Sequence, residues 1–200
     1  MHVKSLKAKR SEETREALVA VATRIFGERG FAGAATEEIV AEAGVTRGAL
    51  YHHFADKKEL FAAVAEDLER CLCDRIAADV VGSTDARSML EGGTDSFLAA
   101  CLDPVLRQVL MIDAPSVLGW LRWREIEARY AMGLVRASLE LGMQEGAIEQ
   151  QPVDPLCHLL LGATIEAGLV VAHADDTSAA HAEMAAACKR LIAVLCTSAR

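Results

Sequence analysis

The segment that most constrains this chain is Thr36-Glu-Glu-Ile-Val-Ala-Glu-Ala-Gly-Val-Thr-Arg-Gly-Ala-Leu-Tyr-His-His-Phe54. Thr36 and Thr46 each stand where a short helix should begin, and Ser, Thr, Asp and Asn are the residues that cap free N–H groups there. Gly44 stops the first helix, so two short helices meet at the tight turn Ala43-Gly44-Val45-Thr46. Ile39, Ala43, Val45 and Leu50 provide the apolar grip between them. That is the pattern of a helix-turn-helix, in which the second helix lies in the DNA major groove. The outward residues are Thr46, Arg47, Gly48, Ala49, Tyr51, His52 and His53. Arg47 suits a guanine or a phosphate, Tyr51 a phosphate, and Gly48 allows close backbone approach.

The rest of the chain reads as helix. It has only four prolines in 200 residues, and apolar residues recur at helical spacing. A first helix is expected over about 11–29, capped at Ser11, with Gly30 as its stop. A long helix should open at Asp56-x-x-Glu59 and reach about Val80. Further helices are expected over 86–102, with a kink at Gly92-Gly93, and from Asp103-Pro104 to about Ile112. Another should run from a break at Asp113-Ala-Pro-Ser116 to Glu145. The last two follow Asp154-Pro155 and residues 175–178. The expected fold class is all-α with about nine helices: an N-terminal three-helix domain (1–56, with a basic arm over 1–10), then a helical body (57–200). No apolar run is expected to reach the length of a membrane span. With no secretory signal expected either, the chain reads as cytoplasmic.

Net charge is −8, which is unfavourable for binding a polyanion unless the charge is unevenly spread. It is uneven: residues 1–60 hold ten Lys/Arg against nine Asp/Glu, and residues 61–200 hold eleven against twenty. Nucleic acid contact is therefore expected at the front end. The basic residues Lys4, Lys7, Lys9 and Arg10 read equally as a solubilising tail or as extra phosphate contacts.

The stretch Gly44-Val-Thr-Arg-Gly-Ala-Leu-Tyr-His-His-Phe-Ala-Asp-Lys-Lys-Glu-Leu-Phe61, with Ile25-Phe26, Gly30-Phe31 and Thr36 before it, resembles the signature of TetR-family transcriptional regulators. The resemblance covers about residues 11–61. It implies a homodimer with two DNA-reading heads and a body that binds a small effector. DNA contacts carried onto matching positions are Thr36, Glu37, Thr46, Arg47, Gly48, Tyr51, His53 and Lys57, with His52 added from its outward position. Val40 departs from the alanine usual at the close helix approach.

No metal-ligand spacing, phosphate loop or nucleophile–base pair is evident in the body, so neither an enzyme nor a cofactor is expected. An apolar helix carrying Trp120, Trp123, Glu127 and Tyr130 suggests a cavity lined by Phe97, Cys101, Leu106, Leu110, Trp123, Glu127 and Tyr130. Glu127, an acid on an apolar stripe, needs a partner: Arg124, another helix, or a ligand. Two small-residue faces, Gly162, Ala163, Glu166, Ala167 and Val170 on one helix and Met184, Ala187, Leu191 and Leu195 on the next, are expected to pair across a two-fold axis. The leading reading is a homodimeric repressor released from a palindromic operator by a mainly hydrophobic effector. The alternatives are a small-molecule carrier or interaction module without operator binding, and a thiol-based sensor using Cys71, Cys73 or Cys101. The six cysteines otherwise read as small buried apolar residues.

Overall fold

The structure is a computed structural model that describes residues 2–196, with side chains described from Lys9 onward. The expected basic-arm side chains of Lys4 and Lys7 lie outside the described residues. Helix α1 (His2–Gly33) begins well before Ser11, so Ser11 is an interior residue and not a cap. Nothing from residue 2 to residue 11 interrupts a helix, and Lys, Ala and Leu favour one there. At Gly30 (φ 68°, ψ 170°), the expected stop, the backbone leaves the helical conformation, and α1 resumes beyond this kink as far as Gly33.

Helices α2 (Thr36–Glu42) and α3 (Arg47–His53) form the helix-turn-helix. Gly44 takes φ 65° between them, a conformation that costs a side-chain-bearing residue dearly. The N–H groups of Ala43, Gly44 and Val45 fold back onto the carbonyls of Ile39, Ala41 and Val40. Thr46 caps α3 by accepting from Ala49 N–H at 3.2 Å. Thr36 does not cap α2. It is the first helical residue, the cap position falls on Ala35, and the Thr36 hydroxyl donates to Glu37 instead.

Helix α4 (Lys57–Asp79) starts on an Asp56 cap, and α5 (Ala86–Ala100) on a capping box of Asp85 with Ser88. The Asp56 cap is one-sided, because the Glu59 carboxylate turns away to Arg122. No kink occurs at Gly92-Gly93; α5 runs through them. A Cβ at Gly92 would stand 3.4 Å from Val80, and one at Gly93 3.6 Å from Ile76, both ordinary contact distances.

The expected break at Asp113-Ala-Pro-Ser116 is also absent. Helix α6 (104–118) opens on the Asp103 cap and Pro104 and passes through wider π turns over Arg107–Asp113. Pro115, which has no N–H to donate, follows directly on those turns, and the chain does not break there. The break comes at Gly119 (φ 84°, ψ 154°), which only glycine adopts readily. Helix α7 (Trp120–Gln144) therefore starts later than expected, and Val117 belongs to α6.

Helix α8 (Val153–His173) begins before Asp154, with Pro152 at the cap position, and α9 (Thr177–Leu195) begins on an Asp176 cap. Among the described residues this makes nine helices and no strand. Helix α8 is long and apolar enough to cross a membrane by length and composition, although Asp154 and Glu166 interrupt any unbroken apolar run. Here less than half of it is buried, against α5, α7 and α9.

The head is joined to the body by packing. Phe26 and Phe31 of α1 close on Phe61 of α4, with ring centroids 5.1 and 5.2 Å away, both edge-on. One core runs unbroken from Leu18 and Leu50 through Leu60 and Val64 to Trp123 and Ile165. A smaller cluster of Leu90, Leu139, Met143, Ile148, Cys157 and Ile192 fills the far end.

Candidate functional site

Helix α3 presents Arg47, Gly48, Tyr51 and His52 to solvent. The Arg47 guanidinium is held from both sides. Glu37 of α2 forms an ion pair with it at 3.0 Å, and its centre lies 5.6 Å from the Tyr51 ring. Glu37 thus has its two oxygens engaged by the Thr36 hydroxyl and by Arg47, which pulls its carboxyl below the ordinary range through hydrogen bonds, mainly at its own backbone and with Thr36. The arrangement gives Glu37 a structural role next to the outward face: it orients the arginine across the turn. Gly48 is open, the nearest heavy atom to an added Cβ being 3.8 Å away. His52 and His53 meet edge-on at 5.4 Å, and His53 is half-buried towards Phe54.

Lys57 is turned away from this face. Its ammonium lies 4.4 Å from the centre of the Phe31 ring, and burial pulls its pKa down while Asp113 opposes the shift. Asp113 also accepts from Phe31 N–H at 2.7 Å, tying the kinked end of α1 to α6. Ion pairs fix α1 on α2: Arg29 with Glu38 at 2.6 Å, and Arg24 with Glu42. Val40 is buried between the short helices.

The body contains a cavity of about 120 Å³ between α4, α5, α7 and α8. Leu72, Ile76, Leu90, Phe97, Leu134 and Leu161 give it apolar walls, and four polar residues on its lining are almost wholly buried: Glu69, Thr94, Glu127 and Ser138. Of the seven residues expected to line a cavity, Phe97 and Glu127 do so. Cys101, Leu106, Leu110 and Trp123 are packed in the core instead, because the cavity opens towards α4 and α8 rather than α6. Tyr130 points to the opposite side of α7, where its hydroxyl donates to Glu66 at 3.1 Å.

Sequence reasoning missed Glu69. Its carboxyl is pushed up to about 7 by burial, against a lowering hydrogen bond from the Cys73 thiol at 3.8 Å. Glu127 is pushed up to about 8 by burial and then by Glu69, and Arg124, which donates at 2.9 Å, lowers it only in part. Burial pushes the Cys73 and Cys101 thiols up to about 12, so neither holds a reactive thiolate near neutrality. Cys71 is exposed. Among the described residues no group of three or more His, Cys, Asp or Glu side chains is placed to hold a metal ion.

On the outer side of α8 and α9, Leu159 (71% exposed), Val170, Leu191 and Val194 (70%) form an apolar stripe. Gly162, Ala163, Glu166, Met184, Ala187 and Leu195 border it, half-buried or exposed. Ala167 does not. It is wholly buried and faces inward, one residue before Gly168, which abuts the Phe97 ring.

A capped helix-turn-helix with an open outward face, on a helical body, is the arrangement of a DNA-binding regulator. Residues 18–64 match the family described as bacterial regulatory proteins, tetR family, and residues 87–195 match the tetracyclin repressor-like C-terminal domain. The chain belongs to the TetR family of transcriptional regulators. It is 28% identical over 151 residues to the transposon Tn10 TetC protein of Escherichia coli, covering 76% of each. The AcrR regulator of Shigella flexneri is 45% identical over 56 residues, 28% of this chain and 26% of AcrR. A TetR-family regulator from Pectobacterium atrosepticum has the same fold at a TM-score of 0.85 and 30% identity, over 96% of this chain and 98% of that one. RolR in complex with resorcinol shares the fold at a TM-score of 0.74 and 22% identity, over 92% of this chain and 89% of its own.

Proposed function

We propose that this regulator is a cytoplasmic homodimeric repressor that leaves a two-fold symmetric operator when a small, mainly hydrophobic effector fills the cavity. The observation that carries the reading is the course of α4. Its first turns, with Leu60 and Phe61, form the floor of the head, and Glu69, Leu72, Cys73 and Ile76 on the same helix line the cavity. Phe61 and Glu69 are about 12 Å apart along the helix axis. A molecule that shifts α4 within the body therefore shifts the head. It lowers DNA affinity by the difference between its binding energies in the two arrangements.

In the operator complex Arg47 reads a base edge or a phosphate, Tyr51 and Thr46 hold phosphates, and Gly48 admits the backbone. Glu37, His52 and His53 flank them, and Lys57 reaches a phosphate only by leaving the Phe31 ring. Arg47→Ala should weaken operator binding by about 1–3 kcal/mol, and Tyr51→Phe by less, with the circular dichroism melt unchanged. Fluorescence anisotropy on DNA from the region flanking its own gene reads both. Unaltered affinity in both variants would remove α3 as the reading element.

The α8–α9 stripe is the subunit interface, the two pairs of helices closing a four-helix bundle. Leu191→Glu, which places a charge on the stripe, should give a folded monomer in analytical ultracentrifugation and lose most operator affinity. A dimer that persists in this variant and in Leu159→Glu would show that the subunits pair elsewhere.

A further inference from the structure

The chemistry of the cavity points to a class of ligand. The Ser138 and Thr164 hydroxyls on its wall are already satisfied by the carbonyls of Leu134 and Leu160. The Thr94 hydroxyl has no hydrogen-bond partner among the described residues, although the residue is more than nine-tenths buried and lines the cavity. Each buried carboxylate also keeps one oxygen unengaged. Cys73 occupies Oε1 of Glu69, and Arg124 occupies Oε2 of Glu127. Among the described residues, Arg124 is the only cation bonded to either acid, and Glu69 has nothing stronger than a thiol. When both are ionised, two acids in an apolar chamber repel a carboxylate or phosphate ligand and leave one negative charge without a counter-ion.

We propose that the cavity takes an apolar molecule bearing a protonated amine, held by Glu69 and Glu127 with Thr94 as a third polar contact, and that binding displaces protons from the two carboxyls. This rests on the cavity being the effector site. The groups facing the acids are Cys73 from α4, Arg124 from α7 and Cys101 at the end of α5, while α8 contributes only Leu160, Leu161, Thr164 and Ile165 to the wall. In the protein by itself burial keeps Glu69 at about 7 and Glu127 at about 8, so protons occupy part of the pair near neutrality. An ammonium favours the ionised forms, so both pKa values fall on binding. Amine affinity is then greatest above the values in the protein by itself, and falls about tenfold per pH unit for each displaced proton as the pH drops below them.

The test is calorimetry on the intact protein with phenylbutylamine, phenylbutanol and phenylbutanoate, in buffers of differing ionisation heat, at about pH 6 and about pH 8. The amine should bind at least about tenfold more tightly than the alcohol at the higher pH, with the gap closing at the lower one. The carboxylate should bind worst, and the heat of amine binding should vary with the buffer. Glu69→Gln and Glu127→Gln should each reduce the preference for amine, and the double variant should abolish it while still binding the alcohol. Alcohol binding equal to or tighter than amine binding at both pH values overturns the ligand class and leaves the effector cavity standing. Failure of all three probes to bind overturns both.

Discussion

Phe61→Ala should cost about 3–5 kcal/mol of folding stability, the range for deleting a wholly buried aromatic ring. Phe61 has no exposed surface, and its ring is the piece of α4 that both Phe26 and Phe31 close upon. Its removal leaves a cavity between α1 and α4, and takes away two edge-on aromatic contacts beyond the area lost. The Lys57 ammonium, which rests on the Phe31 ring, loses that ring's fixed position. Urea unfolding at fixed protein concentration measures the loss, since the stability of the proposed dimer depends on concentration. The operator affinity of the surviving folded fraction should fall as well, because the same cluster sets the angle of the head on α4. A change below about 1 kcal/mol would mean the head is held by its ion pairs rather than by this cluster.

The second large effect is on stability against pH. In the unfolded chain the Glu69 and Glu127 carboxyls have the ordinary value near 4.5, and in the folded protein burial pushes them up to about 7 and about 8. Between these values the folded state holds protons that the unfolded state has released, so stability falls as the pH rises from about 4.5 to about 8. Glu69→Gln removes the penalty and should stabilise the protein by on the order of 3 kcal/mol above about pH 8, with no gain near about pH 4. Glu127→Gln should gain less than its larger shift implies, because Arg124 then loses its carboxylate. Thermal melts across this range decide it. A difference between wild type and Glu69→Gln that does not vary with pH would mean that Glu69 is not held protonated.

The head was legible in the sequence because its signals are local. Gly44 needs its positive φ, and Thr46 and Asp56 cap helices within three residues of themselves. Thr36 misled because a capping residue type occupied the first helical position, one place beyond Ala35. The cavity was harder to read, since its lining depends on which faces of four long helices meet. Glu69 carried the signal that singled out Glu127, an acid three and four residues before the apolar pair Leu72 and Cys73. Gly92-Gly93 shows the same limit. A glycine pair reads as a kink along the chain, but α5 runs through it packed at ordinary contact distance from Val80 and Ile76. Lys57 occupied the right position for a phosphate contact, and only the packing of Phe31 and Asp113 turned it inward.

The most direct test of the central claim is a hydroxyl-radical footprint of the intact protein on DNA flanking its own gene, repeated over a series of salt concentrations. Two symmetric protected half-sites should appear, with centres separated by about 34 Å or a multiple of it along the duplex. Affinity should fall steeply with salt, and Arg47→Ala should lose the protection at both half-sites together. No protection at low salt, or equal protection by wild type and Arg47→Ala, would contradict the assignment of α3 as the operator-reading helix of a symmetric dimer.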